Sequence, residues 1–288
     1  MKPKSLLAVA LVLALVTLAC SVTVNLPNVI DVKTGPTVTD DIRVQPINAQ
    51  GAADLELHFG GGELNLSPVT GAELVSGTAT YNVTDLKPEV TVNGNSVNIF
   101  QGNLNINGIP SFRDVKNKWD LSLGNYPMNL TIKAGAYKGM FELGGLSLQD
   151  LSVTDGAADT TLSFSQPNNV QMRTLHYETG ASKVTLSGLA NANFSSMEFK
   201  SGAGNYSLDF SGELQRDATV TIKTGLSNLE ISVPEGTSTR LSMSGGISNA
   251  NVHGAWTKSG SDYVLEGSGP ELTIHVEIGA GNLDLNNP

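Results

Sequence analysis

Residues 197–208 read Met-Glu-Phe-Lys-Ser-Gly-Ala-Gly-Asn-Tyr-Ser-Leu, and residues 274–285 read Ile-His-Val-Glu-Ile-Gly-Ala-Gly-Asn-Leu-Asp-Leu. In both stretches apolar and polar side chains alternate on either side of a glycine, which is the pattern of two short β-strands joined by a bend. The pattern apolar-x-apolar-x-x-Gly-x-x-x-x-x-apolar occurs eight times between residues 51 and 288. This repetition indicates the fold more strongly than any other feature of the chain.

The eight copies align in columns around the glycines Gly60, Gly135, Gly156, Gly180, Gly202, Gly225, Gly246 and Gly279. Five residues before the glycine, three before it and six after it, the side chain is apolar in every copy. From Gly135 to Gly246 the spacings are 21, 24, 22, 23 and 21 residues. A period of about 22 residues with two short strands in each repeat predicts an all-β, single-chain β-solenoid, in which each repeat forms one coil stacked on the next.

The residue three after the glycine is asparagine in the last four copies, namely Asn205, Asn228, Asn249 and Asn282. Asparagines stacked at one position of successive coils can form a hydrogen-bonded ladder, although asparagine also suits turns for its own reasons. A glycine-centred link between alternating strands can also be a hairpin, so an antiparallel β-sandwich or meander is the alternative fold. The near-constant period favours the solenoid.

Residues 1–20 have the pattern of an export signal. Lys2 and Lys4 precede an apolar run over residues 6–18 that only Thr17 interrupts, and the run ends at Ala19 and Cys20. Leu18-Ala19-Cys20 is similar to the lipobox of bacterial lipoproteins, in which the cysteine is acylated and becomes the mature N-terminus. The alternative is an ordinary cleaved signal that leaves an idle thiol. Because Cys20 is the only cysteine of the chain, we expect a lipid anchor at the outer face of the membrane.

The chain is acidic, with a formal net charge of −10. Without Lys2 and Lys4 it has 15 basic against 27 acidic residues. A surface with this charge repels nucleic acid and anionic lipid headgroups, so we expect no nucleic-acid partner and membrane contact only through the anchor.

The mature chain divides into three segments by pattern. Residues 21–50 contain three prolines and little periodicity, and they are expected to be a tether, part of which could pair as an edge strand. Residues 51–125 are expected to form an N-terminal β subdomain, in which Asn93-Gly94-Asn95 signals a hairpin. Residues 126–288 hold the repeats. Within them, the insertion at residues 256–269 is expected to be an exposed hairpin or loop.

Residues 55–66, the hairpin region at 77–102 and residues 119–123 together resemble the N-terminal domain of the toast-rack family. The repeats from Leu130 onward, above all residues 202–208 and 279–285, resemble the bacterial "putative adhesin" domains and the C-terminal domain of LiaF-type cell-wall stress regulators. These resemblances imply a stacked β architecture at the cell envelope, and they bring no catalytic residues to this chain.

A search of the sequence for catalytic constellations is negative. It has no nucleophile elbow, P-loop, H-E-x-x-H or C-x-x-C motif, and we expect neither an enzyme nor a bound metal or cofactor. The best candidates for a glycosidase carboxylate pair or a calcium site are Asp150, Asp155 and Asp159, which are interpreted instead as solvated turn acids, and the four histidines are interpreted as surface residues. A weak candidate binding surface consists of the aromatic residues Tyr126, Tyr137, Tyr263 and Trp256.

These features together favour a non-catalytic envelope lipoprotein, an adhesin or surface scaffold that binds wall polysaccharide, other extracellular material or a surface protein through a repetitive β face. The alternative is a sensory or regulatory ectodomain that acts in a wall-stress response through a protein partner.

Overall fold

The computed structural model describes residues 29–47, 51–102 and 109–288. Cys20 and the expected export signal lie outside these residues. Two short 3₁₀ helices, Thr84–Leu86 and Leu189–Ala192, accompany seventeen strands in the described part. The strands are β1 Val29–Asp31, β2 Val38–Val44, β3 Ala53–Val69, β4 Val75–Tyr81, β5 Pro88–Asn93, β6 Ser96–Gln101, β7 Ile109–Ser111, β8 Asn117–Gly124, β9 Pro127–Glu142, β10 Ser147–Ser163, β11 Met172–Ser187, β12 Phe194–Asp209, β13 Ala218–Ser232, β14 Thr239–His253, β15 Thr257–Ser259, β16 Asp262–Leu265 and β17 Leu272–Asn286.

The chain separates into two compact units. The small unit contains β1 and β7, which pair in parallel with Val29 opposite Ile109. The large unit contains the other strands.

Seven long strands form the body of the large unit. They lie side by side in the order β9-β10-β11-β12-β13-β17-β14, and every pairing between them is parallel. Consecutive repeats pair residue for residue, as Leu151 with Leu175 and Leu175 with Met197. The predicted β-solenoid is therefore confirmed, and the parallel register excludes hairpins between these repeats. We call each long strand a rung.

Each rung turns a corner at its repeat glycine. In β11, side chains alternate between inside and outside up to Thr179, then Gly180 and Ala181 both face outward, and alternation resumes with Ser182 inside. Two successive outward residues keep the same side of the strand toward the core after the bend. Each rung thus has a first limb before the glycine and a second limb after it, and both limbs line one interior.

The interior is filled by the apolar columns that the sequence shows. In the inner rungs the residues five and three before the glycine and six after it are almost fully buried, as Leu175, Tyr177 and Leu186 are in β11. The ring of Phe199 contacts those of Tyr177 and Tyr206, with centroids 5.7 and 5.3 Å apart. Burial of these columns against their neighbours supplies the main stabilisation, because one rung alone cannot bury its apolar side.

The N-terminal part of the large unit continues the same sheet and then branches. β3 pairs in parallel with β9 along both limbs. Its first limb also pairs with β6, which pairs antiparallel with β5 through the turn at Gly94. Its second limb pairs with β8, followed by β4 and β2. β2 lies within the segment 21–50, so part of the expected tether is an edge strand of the sheet.

At the C-terminal end, the last strand is inserted one place inward. β17 lies between β13 and β14, so β14 is the terminal rung. Residues 256–269 contain the β15–β16 hairpin, and β16 pairs antiparallel with the first limb of β14.

The glycine column is required by close approach between rungs. A Cβ added at Gly180 would lie 2.3 Å from the carbonyl oxygen of Gly156, and one added at Gly225 would lie 2.5 Å from that of Gly202. Real Cβ atoms do not approach backbone oxygen so closely. At Gly156 the corresponding distance is 3.2 Å, which leaves more room.

We therefore expect Gly180→Ala to lower the free energy of unfolding by roughly 1–3 kcal/mol, the usual cost of overpacking. Gly156→Ala is the matched control and is expected to cost less, because its neighbour is farther away. Urea denaturation followed by circular dichroism measures both. Equal losses in the two variants would show that the glycines serve another purpose than close approach.

Candidate binding surface

The rungs present two outer faces, one on each limb. We call the outer side of the second limbs the second-limb face and that of the first limbs the first-limb face. On the second-limb face, the residues three after the glycine are, in spatial order, Glu63, Lys138, Asp159, Lys183, Asn205, Asn228, Asn282 and Asn249. The residues five after the glycine are Asn65, Met140, Thr161, Thr185, Ser207, Glu230, Asp284 and Asn251. These side chains are exposed or half-buried.

The four asparagines of the repeat column lie side by side on this face. Asn228 Nδ2 donates to Asn205 Oδ1 at 2.9 Å, and Asn282 Nδ2 donates to Asn228 Oδ1 at 2.9 Å. Asn249 Nδ2 donates to Asn282 Oδ1 at 3.1 Å. The amides thus form one ladder in which all the donors point the same way. Each amide keeps further hydrogen-bonding capacity for a ligand, since it has two N–H groups and a carbonyl with two lone pairs.

A shallow depression of about 440 Å³ lies on the second-limb face. Its outward side chains include Thr185, Asn205, Ser207, Asn228 and Glu230. Together with Lys183 and Asp284, which also line the depression, these residues bring hydroxyl, amide, carboxylate and ammonium groups together, with no aromatic side chain among the outward residues.

The first-limb face has a different character, because its charges are paired. Lys200 Nζ lies 2.7 Å from Glu198 Oε1, and Lys223 Nζ lies 3.6 Å from Glu277 Oε2. A depression of about 590 Å³ between these lysines and the corner glycines Gly202, Gly246 and Gly279 is lined by both lysines and by the carboxylates of Glu178 and Glu277. Charges that neutralise one another leave less capacity for a ligand than the second-limb face does.

Two of the four aromatic residues that the sequence places on a binding surface are buried. Tyr137 and Trp256 are only 6% and 9% exposed and belong to the core, so they cannot form a binding platform. Tyr126 and Tyr263 are half-buried and pack against the core. Tyr137 is buried because of the corner, since the second residue after the repeat glycine faces inward in the inner rungs, as Ala158 and Ser182 also do.

The three aspartates of β10 point in different directions. Asp150 faces outward on the first limb and forms an ion pair with Arg173, and Asp159 faces outward on the second limb. Asp155 is buried, so it is not the solvated turn acid that the sequence predicts. Because the three carboxylates lie on different sides of the rung, they do not form a glycosidase pair.

Asp155, the residue directly before the repeat glycine Gly156, is the centre of a buried polar cluster. Its carboxylate accepts hydrogen bonds from Tyr177 Oη at 3.0 Å, from Tyr137 Oη at 3.3 Å and from the Thr179 hydroxyl. Burial raises the pKa of the Asp155 carboxyl above its ordinary value, while the hydroxyl donors, Thr179 first, oppose the shift. Burial also raises the pKa of Tyr137 and of Tyr177, so both phenols stay protonated and serve as donors.

Three of the four histidines lie beside acidic or hydroxyl side chains. His176 lies between Glu198, 3.1 Å from its Nδ1, and Glu178, 3.5 Å from its Nε2. His58 pairs with Glu56 and His275 with Ser242. Within residues 29–47, 51–102 and 109–288, no group of three potential ligands could hold a metal ion.

A raised pKa of Asp155 has a consequence for stability. The folded state holds this proton more tightly than the unfolded chain, so the contribution of Asp155 to stability falls as pH rises from about the ordinary Asp value of 3.8 through the folded pKa. We expect Asp155→Asn to gain stability relative to the native protein as pH rises above the ordinary Asp value of about 3.8. Urea unfolding at several pH values measures the difference. Asp159→Asn, which removes an exposed carboxylate from the same strand, controls for net charge, and a constant difference for Asp155→Asn would contradict the prediction.

Comparison with known proteins identifies the family. The family model described as the N-terminal domain of toast_rack (Toast_rack_N) matches residues 33–186, more than half of the chain. The chain belongs to this family. The match extends beyond residues 51–125 in both directions, since it includes β2 and the rungs up to β11. The toast-rack match therefore spans the junction between the branched part of the sheet and the repeats.

Solved structures similar to this toast-rack chain include a "putative cell adhesion protein" from Clostridium sporogenes, which is 19% identical with a TM-score of 0.48 and covers 88% of this chain and 100% of its own. A "putative lipid binding protein" from Parabacteroides distasonis is 11% identical with a TM-score of 0.40, and covers 90% and 99%. A "putative adhesin" from Parabacteroides merdae is 11% identical with a TM-score of 0.35, and covers 88% and 98%. No curated protein matches the chain. Likenesses at these scores do not extend to function.

The described residues include no helix long and apolar enough to cross a membrane.

Two features of the surface are not readable from the sequence. The row formed by the residues five after the glycine, beside the asparagine column that the sequence does show, depends on the register between rungs, which an isolated repeat does not reveal. The pairing of Lys200 and Lys223 with glutamates depends equally on which rungs are neighbours. A signal for the first feature exists in hindsight, because the residue five after the glycine is polar in seven of the eight copies.

Proposed function

We propose that this protein is a non-catalytic scaffold or adhesin of the bacterial cell envelope, exported and held at the outer face of the membrane by an acylated Cys20. In this proposal the second-limb face binds wall polysaccharide or another hydroxyl-rich extracellular polymer. The observation that supports it best is the polar stretch of this face from β11 to β14, where the asparagine ladder lies beside a row of hydroxyl, carboxylate and amide side chains.

The spacing of the face suits an extended polymer. Neighbouring strands of a sheet lie about 4.8 Å apart, so the same chemical group recurs at that interval along the stack. A polymer lying across the rungs would meet many equivalent donors and acceptors. Each hydrogen bond contributes little, on the order of 1 kcal/mol, but contacts on one polymer add through effective concentration.

The charge of the chain narrows the class of polymer. With 27 acidic and 17 basic residues, the protein repels strongly anionic polymers at low salt. Glu230 and Asp284 lie within the candidate surface, where Asn286 donates to Glu230 at 2.9 Å and Asn251 donates to Asp284 at 2.6 Å. We therefore favour neutral or cationic sugars over phosphate-rich polymers.

The test is sedimentation of the purified protein with cell-wall sacculi and with neutral, cationic and anionic polysaccharides. Thr185→Lys/Ser207→Lys places two long side chains in the depression of the second-limb face and is expected to reduce binding at least tenfold. The matched control is Thr174→Lys/Ser196→Lys, which makes the same two exchanges on the first limbs of the same strands, β11 and β12.

Saturable binding that only the first variant abolishes would support the proposal and locate the surface. Equal binding by both variants would move the site away from the second-limb face. An absence of binding to every polymer would contradict the adhesin proposal and favour the regulatory alternative, in which the ectodomain acts through a protein partner.

A further inference from the structure

The terminal rung β14 is covered along only part of its outer edge. One edge pairs with β17 over both limbs. On the other edge, β16 pairs only with residues 239–242 of the first limb. Among the described strands, none pairs with the second limb on that side. Since the register with β17 shifts around Ile247, the regular part of this free edge is residues 249–253, which we call the open edge.

The open edge has no charge and no proline. Residues 245–255 read Gly-Gly-Ile-Ser-Asn-Ala-Asn-Val-His-Gly-Ala. The edge strands at the other end of the sheet are protected differently, because β2 carries Asp40, Asp41 and Arg43, and β5 starts with Pro88 and Glu89. Charges and proline on an edge strand discourage further pairing, so their absence from the open edge leaves a template for another strand.

The core is incomplete beside the open edge. In the neighbouring rungs β17 and β13, the residue six after the glycine, Leu285 or Ile231, is fully buried. In β14 the equivalent Val252 is only half-buried, and the inward-facing Ala250 is exposed. A further strand on this edge would cover both side chains and remove apolar surface from water.

The end of the asparagine ladder presents acceptor oxygens at the open edge. Asn249 Nδ2 donates inward to Asn282, and Asn251 Nδ2 donates inward to Asp284 at 2.6 Å. The side-chain oxygens of Asn249 and Asn251 have no donor among the described residues. An added strand that supplied an amide N–H at these positions would extend the ladder.

From these observations we propose that the occupant of the open edge is a second copy of this chain, which pairs antiparallel with its own open edge about a two-fold axis near Asn251. A two-fold interface must be self-complementary. The open edge meets this condition, because amides both donate and accept and a neutral edge has no like charge to repel. The pairing places Ala250 opposite Val252 of the second copy, so the two incomplete cores become continuous.

The expected association is weak. A five-residue pairing buries less than the roughly 1,200 Å² of the smallest stable interfaces, so dimers should form reversibly in the micromolar to millimolar range. Anchoring at a membrane would raise the effective concentration and favour the same dimer. The inference stands whether or not the second-limb face binds a polymer.

Sedimentation equilibrium of the purified protein over that range tests the proposal. The native protein is expected to show a monomer–dimer equilibrium. Asn249→Lys/Asn251→Lys brings four positive charges together in the dimer and is expected to weaken association at least tenfold. The matched control, Asn205→Lys/Ser207→Lys, makes the same changes at the same two columns of the inner rung β12 and should leave the dimer intact.

Three results would overturn the proposal. A native protein that stays monomeric at all concentrations would leave the edge to a different partner or to none. A dimer that survives the edge variant would form through another surface. A dimer that both variants abolish would depend on the second-limb face as a whole and not on the open edge. Circular dichroism confirms that each variant is folded.

Discussion

The contact that determines the rest of the structure is the one between stacked glycines at the corners. The backbone of each rung passes so close to the carbonyl of its neighbour that a Cβ at Gly180 or Gly246 would lie 2.3 Å from a backbone oxygen. Only glycine tolerates this approach. The contact recurs between most neighbouring rungs, with the looser approach at Gly156 as the exception, so it holds the corners in line and with them the register on both limbs.

The fixed register has opposite effects inside and outside. Inside, it places apolar side chains of similar size above one another. A polar residue that is buried next to the repeat glycine must then find hydrogen-bond partners there, as Asp155 does with three hydroxyl groups. Outside, it places chemically similar polar groups in rows. The asparagine ladder thus follows from the same register that orders the core, and the outward polar rows and the buried apolar columns use different residues.

The sequence predicts the repeating part of this fold well, because the glycine column marks the corner of each rung and the apolar columns mark the residues that fill the interior. It does not predict the spatial order of β13, β17 and β14. Their columns are apolar in the same places, so any order would bury them equally well. The branching of β3 between β6 and β8 is also not readable, since it depends on pairing partners far apart in the chain.

The candidate surface was less predictable for a specific reason. Simple alternation from the glycine places Tyr137 outside, whereas the two successive outward residues of the corner reverse the alternation and place it inside. Trp256 lies just before the β15–β16 hairpin in an insertion rich in glycine and serine, where exposure was the natural expectation, yet its ring is part of the core. Aromatic residues are expensive to leave in water, so in a sequence with few of them burial is the better first assumption.

A stack of similar rungs leaves unpaired backbone groups on the strand at each end, so each end must be protected from pairing with a further strand. At the N-terminal end, the rung divides into two branches whose edge strands carry charges or a proline. At the C-terminal end, the inserted strand β17 and the hairpin β15–β16 complete the first limb but leave the second limb of β14 uncovered. This asymmetry means that the same hydrogen-bonding pattern that joins the rungs within one molecule is still available at one place on its surface.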